Sequence, residues 1–106
     1  MSSEYSIEQP LRSAIDALTG PAVLEFGTAW CGYCQAAQPL IASALSGRTR
    51  VRHIKVEDGQ GRPLGRSFHV KLWPTLIFLS DGKEVARVVR PANAQVIADA
   101  LRMLEK

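Results

Sequence analysis

Both cysteines of this chain, Cys31 and Cys34, stand in a single C-x-x-C, and that motif separates two stretches of different period. Before it, residues 22–26 read AVLEF, a short apolar run closed by Gly27, as expected for a buried central strand. After it, Ala37, Leu40, Ile41, Ala44 and Leu45 fall on one helical face. The pair therefore stands at the start of a helix, where unpaired backbone N–H groups can stabilise a negative sulfur. Pro39 inside the pattern predicts a kink, and Gly47 the end of the helix.

The remaining pattern places this junction in an α/β chain. Ile7, Leu11, Ala14, Ile15 and Leu18 predict a helix over residues 6–18, with Ser6 and Gln9 as a capping box and Pro10 in its tolerant first turn. Residues 50–57 alternate as a strand with one polar side, residues 58–65 read as loop, and 66–72 as a short helix or turn. TLIFL at 75–79 and residues 84–89 form a hairpin across SDGK, and Asn93 caps a last helix carrying Val96, Ile97, Ala100, Leu101 and Leu104. A parallel βαβ half followed by an antiparallel hairpin predicts one domain over residues 1–106, with helices on both faces of a mixed sheet.

Composition narrows the chemistry. Two cysteines are too few for a disulfide scaffold, and the only other soft metal ligands are His53 and His69, whose spacing matches no zinc pattern. No metal is expected. The net charge of +3 lacks the concentrated basic face of a nucleic-acid binder, and no aromatics interleave Arg48, Arg50, Arg52, Arg62 and Arg66, so these read as solvated surface. GQGRPLG misplaces the third glycine of a dinucleotide fingerprint. No apolar run approaches the ~18 residues of a membrane span. MSSEYSIEQP has neither the basic nor the apolar part of a secretory signal, so the expected compartment is the cytoplasm.

What remains is thiol chemistry. Cys31, accessible beside Gly32, is expected to attack a disulfide, and Cys34 in the first turn to displace the captured partner. Gly32 is expected to permit a tight turn. Resolution requires Cys34 to lose a proton. Glu25, flanked by apolar residues, is expected to be buried; burial raises a carboxyl's proton affinity and poises it as acid or base.

Together VLEFGTAWCGYC, Pro39, WPTLIFLSDGKEV and the terminal helix resemble the thioredoxin family from about residue 22 to residue 104. The resemblance implies a thioredoxin-like fold, a central mixed sheet of about four to five strands with helices on both faces. It implies that the first strand is reduced to EYS or lost. Cys31 would be the exposed nucleophile, Cys34 the resolving thiol, and Glu25 would stand where the family often has a buried aspartate. Pro74 would be the family's cis-proline, lining a docking groove with Trp30, Gly32, Tyr33, Trp73 and Arg90. The chain departs from the family at Tyr33, where proline is usual, at Gly27, where an aromatic residue is common, and at Arg90-Pro91, where a glycine usually keeps the groove open. A cation at 90 favours acidic substrates.

The implied activity is reduction of protein disulfides by a monomer that needs no cofactor beyond its own Cys31–Cys34 couple. Thioredoxin reductase or glutathione would supply the electrons. Two alternatives stay open: a glutathione-linked or isomerase-like variant, suggested by Tyr33 and Arg90, and a binding module without redox turnover.

Overall fold

A computed structural model describes residues 4–105. Strands β1 (Pro21–Gly27), β2 (Arg52–Glu57), β3 (Thr75–Ser80) and β4 (Lys83–Val89) form one sheet in the order β2-β1-β3-β4. β1 runs parallel to β2 and antiparallel to β3, and β4 returns antiparallel to β3. The helices are α1 (Arg12–Asp16), α2 (Gly32–Leu45), α3 (Pro63–Ser67) and α4 (Ala94–Arg102).

Alternation along the two central strands divides the apolar side chains between two cores. Ala22, Leu24 and Phe26 of β1 and Ile77 and Leu79 of β3 pack with Ile15 of α1, Leu64 of α3 and Phe68. Val23 of β1 and Leu76 and Phe78 of β3 pack with Ala37, Ile41 and Ala44 of α2 and Ile97, Ala100 and Leu101 of α4. Each large side chain so buried contributes about 1.5–3 kcal/mol. This parity decides the chemistry, because Glu25 takes the face of Val23, beneath the helix that begins at the cysteines.

The N-terminal segment differs from its sequence pattern. Only α1 is helical there, and Ile7 and Leu11 are exposed while Ile15 is buried. The expected capping box does not form. Ser6 instead makes a parallel bridge to Val56, its N–H donating to the Lys55 carbonyl at 3.0 Å while its own carbonyl accepts from the Glu57 N–H at 3.0 Å. Gln9 Oε1 accepts from the Leu64 N–H at 2.7 Å, serving the start of α3. Pro10, which biases Gln9 toward extended backbone, separates the bridge from the helix. The first strand is thus a remnant within EYS, and it fixes the position of Tyr5.

Elsewhere the boundaries move by a few residues. α3 begins at Pro63, inside the expected loop, because proline suits the first helical turn. α2 begins at Gly32 and continues through Pro39 to Leu45. The β3–β4 turn has Asp81 and Gly82 at φ 49° and 79°, as a two-residue hairpin turn requires. Asn93 caps α4 by accepting from the Val96 N–H at 3.0 Å. Among the described residues no helix is long and apolar enough to cross a membrane.

Candidate active site

Cys31 is the N-cap of α2, with extended backbone, and its sulfur accepts from the Cys34 N–H at 3.2 Å. Both cysteines are free thiols. Cys34 is 1% exposed and Cys31 8%, so Cys31 is the more reachable sulfur but far less open than expected of an exposed nucleophile. Gly32 is not in a positive-φ conformation, and a Cβ there would meet open space, so no tight turn depends on it.

Burial pushes the Cys34 thiol up to about 11, helped by its hydrogen bond with the Cys31 sulfur and opposed by the Thr28 backbone and Tyr5. Cys34 is thus protonated at neutral pH.

Glu25 is fully buried on β1. His53 Nε2 lies 2.8 Å from Glu25 Oε1; Gln38 Nε2 donates to Oε2 at 3.0 Å, and the Tyr5 hydroxyl donates to the same oxygen. Lys55 Nζ donates to Gln38 Oε1 at 2.7 Å. Burial raises the proton affinity of Glu25, but hydrogen bonds from His53, Gln38 and Tyr5, and the Lys55 charge, outweigh it and hold the carboxyl below its ordinary value. Burial was expected; the direction of the shift is the reverse of the expectation, because AVLEF does not reveal the donors that other elements bring. Glu25 is thus held in its ionised form at neutral pH.

The remaining expected residues lie near the mouth of the site. Trp30 and Tyr33 are 73% and 61% exposed, so Trp30 is not a core residue. The Trp30 ring meets the half-buried Trp73 edge-on, centroids 5.7 Å apart, and Trp73 Nε1 donates to Asp58 Oδ2 at 2.9 Å. The Trp73–Pro74 peptide is cis, and Pro74 is buried. The Arg90 N–H donates to the Pro74 carbonyl at 3.0 Å, its Nε donates to the Trp73 carbonyl at 2.8 Å, and its guanidinium lies 3.8 Å over the Tyr33 ring. An apolar, aromatic rim with one cation thus flanks the dithiol.

Sequence reasoning missed Tyr5, Gln38, His53 and Lys55. His53 was expected to be structural or surface. A signal existed for the two β2 residues: His53 and Lys55 alternate with apolar Ile54 and Val56, and the parallel register sets Lys55 beside Glu25. Tyr5 carried no such signal, since it depends on a bridge within a segment that reads as helix. Among the described residues no group of three or more His, Cys, Asp or Glu could hold a metal ion.

The family model of thioredoxin matches residues 5–103. The chain is 60% identical to thioredoxin 2 from Pseudomonas aeruginosa PAO1 in its reduced form, with a TM-score of 0.88 over 98% of this chain and 96% of that one. It is 22% identical over 99 residues to a thioredoxin of Aspergillus fumigatus, spanning 93% of this chain and 92% of the relative. It is 34% identical over 67 residues to thioredoxin H-type 1 of Nicotiana tabacum, spanning 63% of this chain and about half (53%) of that protein. With its dithiol at the head of α2 beneath an aromatic rim, the chain belongs to the thioredoxin family and is a dithiol–disulfide oxidoreductase.

Proposed function

We propose that Cys31 is the attacking sulfur, that Cys34 resolves the mixed disulfide, and that Glu25 receives the Cys34 proton. The carrying observation is the asymmetry of the pair: Cys31 caps α2 and is the less buried of the two, while Cys34 is sealed and burial pushes its thiol up. Oxidation of the pair delivers two electrons to a protein disulfide. Trp30, Tyr33, Trp73, Pro74 and Arg90 receive the backbone and side chains that flank that disulfide. The protein works as a monomer in a reducing compartment, the cytoplasm, and draws electrons from a thioredoxin reductase. The test is NADPH-coupled reduction of insulin by that reductase. Turnover that Cys31→Ser abolishes supports the reading, and equal turnover by wild type and variant contradicts it.

A second reading has glutathione as the electron donor. Arg90 over Tyr33 places a cation at the rim, which suits the carboxylates of a glutathionyl group. Exchanging the donor decides: brisk turnover with glutathione and little with the reductase favours this second reading.

A further inference from the structure

We propose that Tyr5 is the proton relay between Cys34 and Glu25, and that Gly27 is small in order to admit it. The proposal rests on the roles given above to the two cysteines. A Cβ on Gly27 would lie 2.6 Å from the Tyr5 hydroxyl oxygen and 2.7 Å from Cys34 Sγ, so phenol and thiol border one small space that no side chain at 27 could share. The phenol has one direction in which to donate. Gln38 Nε2 donates to its oxygen at 3.2 Å, and its own hydrogen is directed to Glu25 Oε2. A lone pair is left for the Cys34 S–H.

The groups facing the phenol are Glu25 on β1, Cys34 on α2, and Lys55 on β2, whose Nζ lies 4.6 Å from the ring centroid; His53 holds the far oxygen of Glu25. Burial, then the charge of Glu25, raise the proton affinity of Tyr5, so the phenol passes a proton on without resting as phenolate. In the resolving step the Cys34 proton moves to the Tyr5 oxygen as the Tyr5 proton moves to Glu25. The Cys34 sulfur attacks Cys31, the Cys31–Cys34 bond forms, the bond from Cys31 to the partner sulfur breaks, and that sulfur leaves as thiolate. When a donor dithiol later reduces the disulfide, Cys34 leaves as thiolate and recovers its proton from Glu25 through Tyr5.

The experiment mixes the reduced protein rapidly with a chromogenic bis(nitrophenyl) disulfide. Attack by Cys31 releases a first aryl thiolate, and attack by Cys34 a second. Tyr5→Phe keeps the ring and removes the hydroxyl. Expected is a second phase at least about tenfold slower at neutral pH, with the first phase within about twofold of wild type and the deficit narrowing as alkali ionises Cys34 directly. Gly27→Ala, which crowds the hydroxyl out, should slow the same phase, and Tyr5→Phe/Glu25→Gln should be no slower than the slower single variant. A second phase unchanged in Tyr5→Phe, equal slowing of both phases, or multiplied effects in the double variant each overturn the relay. Absence of a first phase in the wild type contradicts the dithiol roles themselves, and the relay with them.

Discussion

The Arg90 guanidinium lies 3.8 Å above the Tyr33 ring, joining the residue that follows β4 to one of the two residues between the cysteines. The contact is worth about 0.5–1 kcal/mol at an exposed site, and it leaves a positive charge beside the dithiol. Arg90→Glu is therefore expected to raise KM for a disulfide peptide flanked by glutamates by roughly tenfold and to lower it for one flanked by lysines, with kcat little changed. Raising the salt concentration should shrink both differences. Steady-state kinetics on the two peptides check it; equal effects on both would show that Arg90 acts by shape alone.

Cys34 binds its proton more tightly in the folded protein than in the unfolded chain, about 11 against 9. The native state therefore keeps a proton that the unfolded state gives up. Stability from this source is complete below pH 9 and is lost as pH rises through about 11. The reduced protein is expected to lose on the order of 2 kcal/mol over that window, and Cys34→Ser to lose less. Urea unfolding at a series of alkaline pH values measures it.

Glu25 shifts the opposite way. Its carboxyl is held below the ordinary value, so its contribution to stability is complete above the usual carboxylate range and is lost as pH falls through the folded value. Glu25→Gln should cost about 1–3 kcal/mol at neutral pH, because His53, Gln38 and Tyr5 lose an anionic acceptor. It should also flatten the acid side of the stability profile. Denaturant titrations from neutral to acid pH test both statements.

Much of this architecture is legible in the chain because burial and period agree. AVLEF and TLIFL read as interior strands and are the two central ones, whereas the face that Glu25 takes comes from the packing of α2 over Val23. Asn93 and the Asp81-Gly82 turn carry their own local chemistry. The N-terminal segment was misread because Ile7 and Leu11 keep helical spacing, yet nothing covers them, and Ser6 gains more from pairing with β2. The sign of the Glu25 shift was illegible for a related reason. It is set by Tyr5, Gln38 and His53, each brought from a different element, and no window of sequence contains the four together.

The central claim is a division of labour between two sulfurs, and partner trapping tests it most directly. Cys34→Ser and Cys31→Ser are each reduced, mixed with a disulfide peptide, acid-quenched and weighed by mass spectrometry. Cys34→Ser should hold the peptide as a stable mixed disulfide on Cys31, while Cys31→Ser should hold almost none, its one thiol being buried and protonated. Equal capture by both variants, or capture by Cys31→Ser alone, would contradict the account.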